Sequence, residues 1–148
     1  MQHNEDDVLR SEFDLGFNYT RTYGPFLGRF FGGLKNAKLF GVKGSNGKVL
    51  CPPAEFDPET SEQLSEFVEL APTGVVASWS WVDTLDDRYP LNKPFAWALI
   101  KVDGADSEML HAVDVDSVDQ IRIGLPVKIR WRDERVGQIT DIACFEPV

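Results

Sequence analysis

Residues Thr73–Thr84 read TGVVASWSWVDT. Along this stretch Val75, Ala77, Trp79 and Trp81 fall on one face of an extended chain, and Val76, Ser78, Ser80 and Val82 on the other. Valine and tryptophan fit the half-buried pleat of a sheet, so the stretch reads as a strand. Downstream the same texture recurs in FAWALIKVDG (95–104), MLHAVDV (109–115), LPVKIRWRDE (125–134) and VGQITDIACF (136–145). Turn chemistry separates these segments: two prolines in LDDRYPLNKP (85–94), an Asp-Gly turn at Asp103-Gly104, and the short SVDQIRIG (117–124). Five strands of this length predict a small OB-type barrel, and the turn-like piece between the third and fourth strands suits that fold. A β-sandwich, the alternative, calls for about seven strands. The expected barrel core is Val75, Ala77, Trp79, Ala98, Ile100, Leu110, Val127, Ile129, Ile139 and Ile142.

Upstream of the barrel, PFLGRFFGGLKNAK (25–38) predicts a short helix over Pro25–Lys35. Proline suits a first helical position. Phe26, Leu27, Phe30, Phe31 and Leu34 make one apolar stripe. Gly28, Gly32 and Gly33 each weaken the helix by up to ~1 kcal/mol relative to alanine, so it needs a surface to rest on. LFGVKG (39–44) and GKVLCPP (47–53) form a hairpin around Ser45-Asn46-Gly47, and EFVELAP (66–72) adds a short strand. The divisions expected are a leader over 1–24, a helix with ribbon-like hairpins over 25–72, and the barrel over 73–148, all in one compact unit.

The stretch Lys43–Pro53, KGSNGKVLCPP, has the shape of one lobe of a zinc ribbon: a Gly-rich knuckle, a short strand and Pro-Pro. Structural zinc takes four Cys or His ligands, usually as two Cys-x-x-Cys pairs. The four knuckle positions here are Lys43, Asn46, Asp57 and Thr60. Protonated lysine cannot ligate, and Asn and Thr are poor zinc ligands, so no bound zinc is expected. Cys51 sits within the strand rather than in a knuckle.

The chain has 148 residues and a net charge of −9, with no Lys/Arg-rich run. Counterion release from phosphates needs basic residues, so this balance argues against nucleic acid as a partner. Two cysteines do not make a disulfide framework. The acidic start MQHNEDDVLR is no signal peptide, and the longest apolar run, FAWALI, falls well short of the roughly 20 residues that span a bilayer. A cytoplasmic protein with reduced thiols is expected. A Ser107–His111–Asp114 triad is disfavoured because residues 111 and 114 of one strand point to opposite faces. Trp79, Trp81 and Trp97 would serve either as barrel core or as a base-stacking platform; the Ala, Val, Ser and Asp around them suit a core. No phosphate-binding loop and no calcium loop is present, and no catalytic residue is assigned.

The order of these pieces resembles the acyl-CoA-associated OB-fold family, whose members carry an aromatic N-terminal helix, a rubredoxin-like zinc ribbon and an OB barrel. The resemblance runs from about Phe17 to Phe145, through PFLGRFFGGLKNAKLFG, KVLCPP, TGVVASWSWV, PFAWALIKVDGAD, MLHAVD and RIGLPVKIRW. FAWALIKVDGADSEMLHAVD and VGQITDIACF are most similar to a subgroup found with steroid side-chain degradation and thiolase-like lipid-transfer-protein homologues. The resemblance implies a non-catalytic subunit of a thiolase-like or aldolase acyl-CoA enzyme, which carries the catalytic residues. It implies a CoA thioester shared with that partner and no cofactor of the chain's own; self-association is left open. The surface expected to meet the partner or CoA is the helix, through Phe26, Leu27, Arg29, Phe30, Phe31, Leu34 and Lys35. The alternative is a single-stranded nucleic-acid-binding OB protein. The absent ribbon cysteines set this chain apart from the zinc-binding members.

Overall fold

A computed structural model describes residues 9–148; the first eight residues of the expected leader lie outside the described residues. Helix α1 spans Gly24–Lys35 with proline in its first turn. A three-stranded antiparallel sheet follows, ordered β2-β1-β3, from β1 (Leu39–Lys43), β2 (Val49–Leu50) and β3 (Phe67–Leu70). The barrel strands are β4 (Thr73–Val82), β5 (Phe95–Val102), β6 (Glu108–Val113), β7 (Pro126–Trp131) and β8 (Ile142–Pro147). They close in the order β4-β5-β6-β8-β7, with β6 and β8 parallel and every other pair antiparallel. This is the Greek-key, five-stranded OB barrel expected from the sequence. SVDQIRIG contains a short 3₁₀ turn, Val118–Gln120, between the third and fourth barrel strands.

The barrel core and the helix share one apolar cluster. Phe30, Leu34, Leu39 and Leu70 from the N-terminal layer pack with Val76, Ile100, Val113, Val127 and Phe145 of the barrel. A weak, glycine-rich helix is thus held by burial rather than by propensity. Its C-terminal end is fastened to the loop before β8, where the Arg135 guanidinium donates from Nε to the Lys35 carbonyl at 3.1 Å.

Five of the ten expected core positions differ, each for a local reason. On β4 a bulge between Val76 and Ser78 shifts the register. Before it Val76 pairs with inward Ile100 and is 1% exposed, whereas Val75 pairs with Lys101 and is 37% exposed. A strict period of two cannot survive an extra residue, so the face containing Val75 and that containing Trp79 are not the same. Ala77, at the bulge, is half-buried. Beyond it Trp79 and Trp81 pair with Ala98 and Ala96. However, β4 pairs with β7 only as far as Val75, so Trp79 sits at an open rim and is exposed. On β6, Leu110 pairs with Leu99 and faces solvent, while Met109 and Val113 point inward. Ile139 is exposed because Val136–Asp141 is a knotted turn, not the start of a strand. Within that turn the buried Asp141 carboxylate accepts N–H bonds from Val136, Gly137 and Gln138 at 2.9, 2.7 and 3.2 Å. Ala98, Ile100, Val127, Ile129 and Ile142 are buried as expected.

Candidate docking surface

The expected helical stripe divides. Phe26, Phe30 and Leu34, at i, i+4 and i+8, are buried. Leu27 and Phe31 remain half-buried at the edge, and the Phe31 ring lies 4.6 Å from that of exposed Tyr23. Both cations are exposed; the Arg29 guanidinium is in addition stacked 4.6 Å over the Phe67 ring. The helix's outer side carries Gly24, Gly28 and Gly32, where an added Cβ would meet no atom within 4 Å. Gly33 lies on the inner side, where a Cβ would sit 2.5 Å from the Phe40 ring.

The larger apolar surface precedes the helix. Residues 9–23 hold no helix or strand, and within them Phe13, Leu15, Phe17 and Tyr19 are exposed by 84, 85, 82 and 73%. These four lie at i, i+2, i+4 and i+6, so in a strand they would share one face. This segment falls within the leader expected over 1–24; the signal that marks it is the period-two alternation, FDLGFNY, in residues 13–19. Four such side chains in a row form the kind of apolar patch that marks an interaction site.

The two knuckles that hold Asn46, Asp57 and Thr60 are tied together without metal-binding chemistry, and Lys43 stands apart from them. The Asp57 carboxylate is the hub. Its Oδ2 accepts from Ser45 N at 2.8 Å in the first knuckle, and its Oδ1 accepts from Glu59 N and Thr60 N at 2.8 and 3.1 Å in the second. These backbone donors, Ser45 foremost, hold Asp57 below the usual carboxylate range. Asn46 Oδ1 accepts from Lys48 N at 3.0 Å, and its Nδ2 donates to Glu59 at 3.2 Å. Thr60 and Ser45 hydroxyls meet at 3.2 Å, and Lys43 pairs with Glu66 at 3.3 Å. The donor set offers one carboxylate, already saturated by N–H groups, and neither thiolate nor imidazole. It does not fit structural zinc.

The Ser107–His111–Asp114 triad, disfavoured from the sequence, is not assembled. Ser107 Oγ donates to the Cys51 carbonyl at 3.0 Å and accepts from Cys51 N at 2.7 Å. Asp114 is paired with Lys93 and Arg130 at 2.6 and 2.8 Å. The three tryptophans do not form a common platform either: Trp97 pairs with Ser80 and Ala112, on the face opposite Ala98 and Trp79.

Residues 67–132 match the family of the ChsH2 C-terminal OB-fold domain. This supports the acyl-CoA-associated OB-fold family expected from the sequence. The ChsH2-type match begins at β3, so it takes in the edge of the three-stranded sheet as well as β4–β7. Two solved structures share the wider fold. One is a protein of unknown function from the DUF35 family of Sulfolobus solfataricus, at 22% identity and TM-score 0.61, covering 84% of this chain and 87% of that one. The other is the Ltp2-ChsH2(DUF35) aldolase, at 21% identity and TM-score 0.60, covering 80% of this chain and 91% of that one. At these identities the likeness is one of fold. No functionally curated protein matches the chain by sequence. Among the described residues no helix is long and apolar enough to cross a membrane.

Proposed function

We propose that this protein is a non-catalytic subunit of a thiolase-like or aldolase enzyme acting on acyl-CoA, and that it docks through the segment before α1. The observation that carries this reading is the row Phe13, Leu15, Phe17 and Tyr19, exposed on a chain whose barrel is closed. An extended apolar row gains both backbone and side-chain partners by laying itself against a sheet edge or groove. Its own sheet offers only the two-residue β2 and the four-residue β3 as edges, too short for seven residues. A second protein is the better receiver. A ChsH2 module occurs with Ltp2 in the solved aldolase, and an acyl-CoA enzyme of that kind is the partner proposed here.

Three further features support the reading. Ser107 and Asp114 are committed to other contacts, which breaks up the one triad the sequence offered, and catalysis is assigned to the partner. The open glycine face of α1, continuous with Tyr23 and Phe31, gives a second surface the partner can approach closely. Net charge −9 and divided tryptophans give single-stranded nucleic acid nothing to hold. A CoA thioester is shared with the partner, Arg29 and Lys35 being the exposed helix cations that can meet its phosphates.

The test is co-expression with a thiolase-like lipid-transfer-protein homologue from the same genome, read by size-exclusion chromatography with light scattering. Phe30→Asp is unsuitable as a probe because it would place a charge in the joint core. Phe13→Asp with Phe17→Asp touches only exposed side chains. A hetero-complex lost in that double variant, with unchanged circular dichroism, supports the proposal. A complex formed equally well by the variant moves docking elsewhere.

A further inference from the structure

The barrel wall holds a cavity of about 340 Å³ where β6 and the turn before β8 part. The two strands touch in register only at Val113 and Phe145, so below that point the seam is open. Trp97, Tyr89, Leu110 and Ile139 give it apolar walls, and His111 and Arg132 also line it. The volume is at the small end of natural ligand pockets, about 300–1,000 Å³.

Two side chains of its lining, His111 and Arg132, hold donors with no protein acceptor among the described residues. His111 is 8% exposed and packs edge-on against Phe145 at 5.7 Å. Its Nδ1 accepts from Ala112 N at 2.9 Å, which assigns the ring proton to Nε2. That Nε2–H has no acceptor among the described residues. Burial keeps the ring neutral by pushing its pKa below the ordinary histidine value. Arg132 has no carboxylate or carbonyl partner for its guanidinium among the described residues. The other arginine at the rim, Arg88, is already forked onto Asp86 by two bonds of 2.7 Å.

We infer that this seam cavity is a binding site for a small carboxylate with a flat apolar body, the body lying between Trp97, Tyr89, Leu110 and Ile139 and the carboxylate accepting from His111 Nε2–H and Arg132. A ligand carboxylate would give both donors a charge-assisted acceptor beside apolar walls, where such bonds are shorter and stronger than neutral ones. A guanidinium beside an aromatic wall suits an anion carried on an apolar group. The site stands apart from the subunit reading, and neither depends on the other.

The experiment titrates the full chain with 2-naphthoate, followed by ¹H–¹⁵N spectra and by calorimetry, with 2-naphthamide and a 2-naphthylmethylammonium salt as neutral and cationic controls. Saturable shifts centred on the Trp97 indole N–H, Leu110 and Arg132 are expected, with the carboxylate binding at least tenfold tighter than the amide. Arg132→Gln, an exposed change, should abolish that preference and leave amide binding within twofold. Leu110→Trp, also exposed, should fill the cavity and block both. His111→Phe should weaken both; should that variant fail to fold, the other two still decide. No binding at 5 mM naphthoate, shifts centred elsewhere, or an unchanged carboxylate preference in Arg132→Gln would each overturn the inference.

Discussion

The three glycines of α1 should respond to alanine with opposite signs. Gly28 and Gly32 lie on the outer side, and a Cβ there meets no atom within 4 Å. Replacing helical glycine by alanine at an unobstructed site stabilises by about 0.5–1 kcal/mol, through helix propensity and a less flexible unfolded chain. For a chain of this size 1 kcal/mol corresponds to roughly 2–4 °C in Tm, so each change should raise Tm by about 1–4 °C. The two sites are one turn apart and share no partner, so their effects should nearly add. Gly33→Ala should act in the other direction, because its Cβ would lie 2.5 and 2.7 Å from two Phe40 ring carbons and 3.1 Å from the Lys38 carbonyl. Differential scanning calorimetry of the three single variants and the Gly28/Gly32 double variant measures this directly. If the outer face is also where a partner approaches, the double variant should melt higher alone yet bind the acyl-CoA enzyme more weakly, a divergence of stability and function. A fall in Tm for Gly28→Ala or Gly32→Ala would refute the reasoning, since it would mean that the outer face of the helix is covered within the chain.

Val76→Ala should cost about 1.5–3 kcal/mol, two buried methyl groups plus the residual cavity, whereas Val75→Ala should stay within about 0.5 kcal/mol; urea denaturation compares them, and equal losses would contradict the bulge. Asp57 is held below its ordinary pKa by knuckle N–H groups, so its stabilising effect is present above the unfolded value of about 3.9 and is lost as pH falls through the lower folded value. Asp57→Asn should therefore be less stable than the parent at pH 7, with the gap closing on acidification; a gap constant down to pH 3 would exclude the carboxylate as the hub. Burial pushes the Cys51 and Cys144 thiols up to about 12 and about 11, so both should resist a thiol-disulfide reagent at pH 8 until the chain unfolds. Fast labelling of either in the native state would contradict their burial.

The barrel was legible because its strands carry long apolar runs broken by unmistakable turns, as at LDDRYPLNKP and Asp103-Gly104. Facing was harder to read. One bulge residue, Ala77, reverses the inward positions of β4, and nothing in VVASWSW marks where the extra residue falls. The knotted turn Val136–Asp141 misled for a related reason. Ile139 continues an alternating pattern, but Asp141 gathers three backbone N–H groups and bends the chain before the strand begins. The helix stripe was visible, yet a one-dimensional reading could not divide Phe30 and Leu34, which meet the barrel, from Leu27 and Phe31, which do not. The docking row escaped notice because its neighbours, Asp14, Gly16, Asn18 and Thr20, are turn formers. Asp57 was read as a lost metal ligand; its use as an anion clamping two turns depends on backbone donors that a sequence does not display.

The account rests most heavily on the apolar row ahead of α1 being a docking segment for an acyl-CoA enzyme. Sedimentation velocity on a mixture of the purified chain and its thiolase-like candidate, with a CoA thioester present, tests this most directly. A hetero-complex is predicted for the parent chain, and for Phe13→Asp with Phe17→Asp the two components should sediment separately while the variant keeps the parent's melting temperature. Separate sedimentation of the parent chain, or a complex undiminished by the double substitution, would contradict it.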